Sequence, residues 1–382
     1  MRPEPIRRSD KGRRERVIEQ VTTNPDWKLL FPVDGDMLNE RDGDIRDGRL
    51  HIIVSIEAPD GSLLRVNGVS AQREEDGIYK APVSLDGYRN AIVVTEEVSG
   101  RSESLEVIWL KQASSKYRLS LDDNIWCLKD IAENAHVYRS IFENPYLALY
   151  KEAHDTYGTK VHINIYYQTE GFDLSQMPDK FKEEWKANAH WLRLTFHAMQ
   201  NDPDKPYIAA PAEEVIRDCE RVTSEIIRFA GKELLDPVTT IHWGEATRES
   251  CRALRKLGFR GLAGYFRFGD GKPIVSYYLD DEQTAHLAKR DFWKDRSEDL
   301  VFIKIDAVLD KLDVEQIVPE LDRLKESPHE SGFIELLIHE QYFYPFYRGY
   351  QPEYRNKIMT AAKWASENGY EPSFLSEIGL FE

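Results

Sequence analysis

The sequence predicts an α/β protein in two parts: a small all-β domain of immunoglobulin-like character, then an incomplete, TIM-like (β/α)7 barrel. Its 382 residues exceed the length of one typical domain. Residues 30–112 form short alternating segments between turn signals, whereas residues 113–382 alternate short apolar runs with amphipathic stretches. Alternation of strand and helix is typical of parallel strands covered by helices.

Charged residues dominate positions 1–29, where no apolar pattern predicts a folded element. In the β domain, Asn67-Gly68 between two apolar runs is a strong hairpin signal. Strands are predicted at residues 51–58, 63–66, 78–83, 91–95 and 104–110. This spacing is typical of a β-sandwich.

Beyond Lys116 the pattern predicts seven strand–helix units, one fewer than a complete barrel holds. The strands are predicted at residues 117–123, 160–167, 192–197, 239–243, 260–266, 300–305 and 333–339. The helices are predicted at residues 125–135, 143–157, 179–189, 212–234, 247–257, 314–325 and 354–367, with an extra hairpin at 273–280. Active sites of parallel barrels lie at the carboxyl ends of the strands, so polar residues there are the first candidates for chemistry.

Composition narrows the classes of partner. A net charge of −16 disfavours nucleic acid and anionic membrane surfaces, because like charges repel, but leaves neutral sugars open. The three cysteines form neither a zinc pattern nor a disulfide framework and are predicted to be buried thiols. No run reaches the length of a membrane span. The start lacks the apolar stretch of a secretory signal, which predicts a cytoplasmic protein, although a trimmed secreted protein would look the same. An oligomer is left open.

Two adjacent carboxylates, Asp122 and Asp123, stand at the end of the first barrel strand. At a frayed strand end both side chains can reach the barrel mouth, one as a metal ligand and one as a base. Their mutual repulsion would be relieved by a cation beside them. The alternative is a solvated turn or a helix N-cap, where Asp is also favoured.

Three histidines end apolar runs of later strands: His197 in LRLTFH, His242 in TTIH and His339 in FIELLIH. Neutral imidazole is the commonest metal ligand, but each histidine alone could equally be a hydrogen-bonded core residue. Asn201, four residues after His197, would face the same ion if the chain turns helically, although its amide is a weak zinc ligand. Three histidines at the same end of successive strands favour one shared site.

His339 is a candidate general acid, with Glu340 or Asp306 holding its ring. The sequence has no phosphate loop, no dinucleotide fingerprint, no GxSxG elbow and no HExxH helix. Nucleotide-dependent chemistry and serine hydrolysis are therefore disfavoured.

Four residues near the strand ends are candidates for substrate contacts. Trp243 could stack on a sugar ring or belong to the core, and Glu245 could support the site or open the next helix. Tyr167 ends the second barrel strand, and Tyr342 begins the aromatic run YFYPFYRGY, which suggests a binding rim.

At these residues the chain, over about 117–370, resembles the polysaccharide deacetylase family, metal-dependent carbohydrate esterases with an incomplete (β/α) barrel. The family's TFDDG motif is similar to SLDDN at 120–124, and its late LLHD motif is similar to LLIHE at 336–340. Its HxxxH motif is matched at His197, with Asn201 in the second position. Its RPPYG-like motif is similar to IHWGEAT at 241–247, without the arginine and proline.

The resemblance implies a role for each residue. Asp122 would be the general base, and Asp123 and His197 would be ligands of a divalent metal, with zinc as the first choice. The third ligand would be Asn201 or His242. His339 would be the general acid, with Glu340 where aspartate is usual and Asp306 tuning the histidine.

Three functions follow as hypotheses. The first is metal-dependent hydrolysis of an N-acetyl or O-acetyl group of a sugar or polysaccharide. The second is a non-catalytic carbohydrate-binding module, because Asn201 and the missing arginine depart from the family's pattern. The third is a glycoside hydrolase that uses a carboxylate pair such as Asp122 and Glu245. Metal content and acetate release from N-acetylated glycans discriminate between them.

Overall fold

The computed structural model describes residues 27–266, 268–269, 272–273 and 277–382. Nearly all of the charged segment predicted at 1–29 lies outside the described residues. So does part of the hairpin predicted at 273–280, where the described pairing joins Phe268–Gly269 to Lys272–Pro273.

Ten strands form the first part of the described chain and build two sheets. Strands β1 to β10 are Lys28–Phe31, Met37–Leu38, Asp44–Arg46, Arg49–Glu57, Leu64–Val66, Val69–Ser70, Gln72–Arg73, Ile78–Leu85, Arg89–Glu96 and Ser102–Trp109. One sheet has the order β1-β4-β8-β7, with β3 beside β4, and the other has the order β2-β10-β9-β5-β6. All five strands predicted in this part are present, with ends that differ by a few residues.

The two sheets pack against each other through the side chains on one face of each sheet. Along β4, Leu50, Ile52, Val54 and Ile56 are buried and the residues between them are exposed or half-buried, because neighbours on a strand point to opposite faces. These four residues share one buried apolar cluster with residues of the second sheet, such as Val94. The immunoglobulin-like connectivity stays a prediction.

The Asn67-Gly68 turn is present as predicted. It joins β5 to β6, with φ of +48° at Asn67 and +82° at Gly68. Positive φ at both central residues is the geometry that matches the twist of a two-residue hairpin.

The second part has a strand at each of the seven predicted positions, but the one predicted at 239–243 is only Val238–Thr239, and His242–Gly244 form a short 3-10 helix instead. Strands β11 to β24 are Lys116–Asn124, Val161–Tyr166, Gln168–Thr169, Phe172–Asp173, Leu192–Ala198, Val238–Thr239, Gly261–Gly264, Phe268–Gly269, Lys272–Pro273, Phe292–Asp295, Leu300–Lys304, Ala307–Val308, Phe333–His339 and Glu371–Pro372. One parallel sheet has the order β15-β12-β11-β23-β22, with β24 beside β11. A second has the order β16-β17-β21-β20, in which β20 runs antiparallel.

The mixed α/β class is therefore confirmed, with one difference in the barrel. No strand pairing within the described residues joins β15 to β16, so the seven predicted strands lie in two sheets rather than one continuous ring. The sequence pattern also missed β20, whose Phe292–Asp295 run closes the edge of the second sheet.

Eight helices in the described residues cover the sheets. Helices α1 to α8 are Trp126–Glu133, Pro145–Tyr157, Lys182–Ala187, Ala212–Phe229, Arg248–Lys256, Asp281–Leu287, Val314–Glu326 and Tyr354–Glu367. Seven were predicted. The eighth, α6, begins at a capping box of Asp280 and Gln283, a spacing that is a helix-start signal in the sequence.

Buried charges join the β domain to the barrel. Asp36 accepts a hydrogen bond from His286 (2.5 Å), and Asp42 accepts hydrogen bonds from Arg290 (3.1 Å) and His329 (2.7 Å). The two aspartates belong to the β domain and the three basic residues to the barrel, so this ion-pair group spans the junction.

Candidate active site

A cavity of about 660 Å³ opens at the carboxyl ends of the barrel strands, within the usual size range of ligand pockets. Most of the residues predicted to form the site line this cavity: Asp122, Asp123, His197, Asn201, His242, Trp243, His339 and Tyr342. Four other candidates, Asp306, Glu340, Glu245 and Tyr167, do not line it.

Both aspartates reach the cavity because β11 is irregular at its end. The pairing of β11 with β12 shifts register between Leu121 and Asn124, and Asp123 has a left-handed φ of +64°. Irregular strand ends of this kind redirect side chains and are frequent beside active sites. On the other side of β11, Asp122 is the register partner of His339 on β23.

Asp123, His197 and His242 converge on one point. Asp123 Oδ1 lies 3.1 Å from His197 Nε2 and 3.1 Å from His242 Nδ1, and the two ring nitrogens lie 3.2 Å apart. In a tetrahedral zinc site with metal–ligand distances of 2.0–2.1 Å, neighbouring ligand atoms are about 3.3 Å apart. The spacing of the three donors therefore fits a small divalent cation.

Outer hydrogen bonds fix how the two rings face this point. His197 Nδ1 donates to the Thr240 carbonyl (2.5 Å), and His242 Nε2 donates to the Asn201 carbonyl (3.0 Å). Each ring then turns its other nitrogen towards Asp123, as metal-binding histidines do when one ring nitrogen is held by a carbonyl. Two ring nitrogens and a carboxylate oxygen at such short range require positive charge, which protons on the rings or a cation between the three atoms can supply. The donor set thus fits a metal.

The charge state of Asp123 agrees with this role. Burial alone would raise the pKa of its carboxyl, but hydrogen bonds from His197 and His242 hold that pKa well below its usual range. Asp123 is therefore a carboxylate at neutral pH, the form that binds cations.

The sequence missed Tyr166, which contacts this group directly. Its hydroxyl is hydrogen-bonded to Asp123 and lies 2.9 Å from His242 Nδ1. The expected contact was Tyr167, whose ring instead packs under the guanidinium of Arg221, 5.0 Å away. Alternation along β12 explains the difference, because it turns Tyr166 to the same face as Asn164.

Asn164 holds Asp122 in place. Its Nδ2 donates to Asp122 Oδ1 (2.7 Å), and its Oδ1 accepts from the Thr195 hydroxyl (2.8 Å). Thr195 in turn accepts from His162 Nε2 (2.7 Å), and His162 Nδ1 accepts from Arg118. These residues are buried, and each donates towards the next, so the series ends on the Asp122 carboxylate.

Asp122 has the properties of a base. Burial raises the pKa of its carboxyl, and the nearby His197 and His339 oppose that effect. A raised pKa brings a carboxylate nearer to the pH at which general bases work best.

His339 is held by a residue that the sequence did not single out. Its Nδ1 lies 2.8 Å from Asp310 Oδ1, so the ring partner is Asp310 rather than Glu340 or Asp306. Burial disfavours the charged ring, but Asp310, followed by Asp123 and Asp122, outweighs burial and raises the pKa of His339 to about 9. His339 is therefore protonated at neutral pH. Asp310 ends the run IDAVLD, four residues beyond Asp306.

The side chains of Glu340 and Asp306 bind other groups of the protein and not the ring of His339. Glu340 accepts hydrogen bonds from the backbone amides of Ile125, Trp126 and Cys127 (2.6–2.8 Å), which caps the start of α1. Both positions therefore carry structural contacts, and neither side chain lines the cavity.

Asp306 binds Lys304 Nζ (2.7 Å) and the backbone amide of Glu335 (2.8 Å). Glu335 precedes His339 by four strand residues, about 13 Å. Asp306 thus lies too deep to hold the ring of His339.

The remaining candidates divide between the cavity and its surroundings. Asn201 lines the cavity, but its backbone carbonyl, not its amide, supports the metal-binding group. Trp243 is 45% exposed and lines the cavity, so it is available to a ligand rather than buried in the core. Its φ of +67° turns the ring outwards. Glu245 faces Lys205 (3.7 Å). Tyr342 lines the cavity 6.2 Å from the ring of His339.

A second cavity of about 320 Å³ adjoins the first. The two share Asp123, Asn201, Gln341 and Tyr347 as lining residues. Asp123 therefore borders two open spaces, an arrangement that suits an extended ligand. Among the described helices, none combines the length and apolar composition that crossing a bilayer requires.

No family model and no curated protein matches the sequence. Similar solved structures include a CE4 family pseudoenzyme from Bacillus anthracis (11% identity, 81% of this chain and 88% of that chain, TM-score 0.35). Others are a CE4 esterase from Streptococcus mutans (10%, 68% and 85%, TM-score 0.36) and a 4-alpha-glucanotransferase from Thermococcus litoralis (14%, 69% and 39%, TM-score 0.45). Structural similarity of this extent does not assign a reaction to this chain. The reaction has to be inferred from its own residues.

Proposed function

We propose that this chain is a metal-dependent carbohydrate deacetylase that hydrolyses the N-acetyl or O-acetyl group of a sugar or polysaccharide. One observation carries the proposal. A possible metal-binding group of Asp123, His197 and His242 stands in the same cavity as a buried carboxylate, Asp122, and a protonated histidine, His339.

A divalent cation held by Asp123, His197 and His242, with zinc as the first choice, would supply Lewis-acid activation of water and of the acyl carbonyl. Asp122 takes the proton from the attacking water as its oxygen bonds to the acyl carbon. His339 gives the proton on its Nε2 to the leaving nitrogen or oxygen as the acyl bond breaks. The products are acetate and the free amine or hydroxyl.

Each acid–base residue has a support suited to its task. Asn164 donates to Asp122 and fixes the direction of the carboxylate. Asp310 accepts from Nδ1 of His339, which directs Nε2 outwards and favours the charged ring that a general acid needs.

Each alternative loses one of the observations that favoured it. The binding module rested on Asn201 at a ligand position and on the missing arginine, and His242 offers a third donor in place of Asn201. The glycosidase rested on a carboxylate pair such as Asp122 and Glu245, and Glu245 does not line the cavity.

The test pairs metal analysis with acetate release from N-acetylated oligosaccharides. We expect about one zinc or similar ion per chain, and acetate release that chelation abolishes and added metal restores. Asp122→Asn and His339→Ala should each lower kcat by at least roughly 100-fold, because each removes a proton transfer. Glu245→Gln is the control and should leave the rate within two-fold, roughly. A metal-free protein, or full turnover in Asp122→Asn, would disprove the proposed function.

A further inference from the structure

One wall of the cavity carries positive charge, although the protein as a whole is acidic. Lys311 and Arg348 both line the cavity, together with Tyr342 and Tyr347. We name these four residues the cationic edge. Apart from the histidines of the site, the other charged residues of the lining are carboxylates: Asp122, Asp123 and Asp204.

Lys311 is held against the cavity wall by an aromatic ring. Its Nζ lies 3.3 Å from the Tyr342 hydroxyl and 5.4 Å from the centre of that ring. The nearest carboxylate oxygen, Asp310 Oδ2, is 3.7 Å away, and the other oxygen of Asp310 is bound to His339. The ammonium is 62% exposed at its side chain and can take a further anionic partner.

Arg348 presents a guanidinium without an acidic partner. It is exposed, and within the described part of the chain no carboxylate pairs with it. Most arginines of this acidic protein do form such pairs, for example Arg296 with Asp34 (2.6 Å) and Arg252 with Glu298 (2.6 Å). A guanidinium offers two parallel N–H groups that match a carboxylate.

The two cations belong to one ordered wall. Gln351 Nε2 donates to the carbonyl of Asp310 (2.9 Å), and its backbone amide donates to the carbonyl of Tyr342 (2.9 Å). The segments that carry Lys311 and Arg348 are thereby tied together. At Gly349 an added Cβ would lie 2.9 Å from the Tyr347 ring and 3.0 Å from the Tyr342 ring, so this turn packs closely. Ordering before binding lowers the entropy lost when a ligand docks.

We propose that the substrate is an acidic glycan whose carboxylate docks on the cationic edge while its acetyl group faces Asp122 and His339. This inference rests on the proposed function and names the substrate class of the same site. The other positive groups of the cavity, His339 and the proposed cation, are assigned to the acetyl group, and an anion beside Asp122, Asp123 or Asp204 would meet like charges, which repel. The carboxylate could belong to a neighbouring uronate ring or to an ether substituent of the acetylated ring itself.

The test measures binding, which does not depend on turnover. The zinc-loaded full chain is titrated calorimetrically with three ligands: N-acetylglucosamine linked to glucuronate, the same disaccharide with glucose, and N-acetylglucosamine bearing a lactyl ether. We expect at least one acidic ligand to bind roughly ten-fold more tightly than the neutral one, because hydrogen bonds between charged groups are the strong ones. The preference should shrink at high salt. Whichever acidic ligand is preferred identifies the position of the carboxylate.

Variants test whether the cationic edge causes the preference for acidic ligands. Arg348→Gln and Lys311→Gln should each reduce it several-fold, and the double variant should abolish it while keeping the affinity for the neutral disaccharide. The control is Arg139→Gln with Lys256→Gln, which removes the same charge from exposed residues that do not line the cavity. Equal binding of all three ligands, no binding at millimolar concentration, or an equal loss in the control would overturn the inference. Absent acetate release with the preference intact would overturn only the deacetylase assignment.

Discussion

At the scale of single residues, the site depends on which atom of each side chain is free. His197 and His242 use opposite ring nitrogens towards Asp123, because different backbone carbonyls hold the other nitrogen of each. Asn201 contacts His242 through its backbone carbonyl, while its side-chain oxygen lies 3.5 Å from the Tyr166 hydroxyl. His242, which follows the strand β16, thus offers the donor that the sequence motif places at residue 201.

This geometry predicts opposite results for two alanine variants. His242→Ala removes a donor and should lower zinc affinity by at least roughly 100-fold, since three protein ligands become two. Asn201→Ala keeps the carbonyl that orients His242 and should retain its metal. Metal content after dialysis against a weak chelator measures both. Loss of metal from Asn201→Ala but not from His242→Ala would reverse the assignment.

The pairing of His339 with Asp310 predicts a change in pH dependence. The general acid must be protonated, and Asp310 is the largest of the effects that raise its pKa to about 9. With Asp310→Asn the pKa of His339 should fall towards the ordinary value of about 6.5. The alkaline loss of activity should therefore begin at a lower pH than in the wild type. The profile of kcat/KM against pH measures the shift.

Asp204→Asn is the control for that shift, because Asp204 lines the cavity but is not among the groups that raise the pKa of His339. It should leave the alkaline limb in place. An Asp310→Asn profile that coincides with the wild-type profile would contradict the general-acid role.

Asn164→Leu tests the support of Asp122. The variant leaves the Asp122 carboxylate and the Thr195 hydroxyl without their partner, and losing such a support typically costs roughly 10- to 100-fold in activity. We expect the loss in kcat, with KM and metal content retained. A proportional fall in metal content would mean that Asn164 shapes the whole site rather than Asp122.

At the scale of elements, the strand β11 and the helix α1 form one functional unit. β11 carries the irregular Asp122-Asp123 pair just before its last residue, Asn124, and α1 starts at Trp126. The amides at that start lack a side-chain cap from their own segment and are bound by Glu340, at the end of β23. A carboxylate suits a helix start because the exposed amides and the helix dipole are positive there.

Glu340→Gln should therefore act on stability. A neutral amide offers one acceptor oxygen to three backbone amides, so we expect a loss of roughly 1–3 kcal/mol in the free energy of unfolding. Urea denaturation measures it, with the exposed Glu133→Gln on the same helix as control. If Glu340→Gln kept its stability and lost its activity, Glu340 would be catalytic, as the sequence motif suggests.

At the scale of the whole molecule, the β domain is joined to the barrel by charges rather than by apolar contacts alone. Asp42 is nearly inaccessible and faces Arg290 and His329 of the barrel. Burial would raise the pKa of Asp42, but the hydrogen bond from His329 and the charge of Arg290 hold it below its usual value. A depressed pKa contributes stability above pH about 4 that is lost as the pH falls further.

Asp42→Asn should accordingly destabilise the protein by roughly 1–3 kcal/mol near pH 7, because Arg290 loses one of its two buried carboxylate partners and keeps only Asp36 (3.5 Å). The difference from wild type should shrink as the pH falls below about 4. Urea unfolding across this pH range measures it. Arg46→Gln, which breaks an exposed ion pair, should cost less than about 1 kcal/mol. Equal costs in the two variants would mean that the junction does not depend on this ion pair.

Periodicity and turn chemistry made the strands and helices predictable. The Asn67-Gly68 hairpin and seven of the eight described helices follow from signals within a few residues of each other. The predicted strand ends also identified most of the site residues that line the cavity. The missed segment, β20, is a short run whose role as an antiparallel edge depends on the neighbouring strand β21.

The sequence by itself determined the α/β class, the order of the elements and the grouping of Asp122, Asp123 and three histidines at the strand ends. These features depend on local spacing, which a chain carries along its length. Only the tertiary structure decided the partners: His242 as the third donor, Tyr166 rather than Tyr167, Asn164 on Asp122 and Asp310 on His339. Such partners are separated by 29 to 119 residues along the chain, and the packing of the strands brings them together.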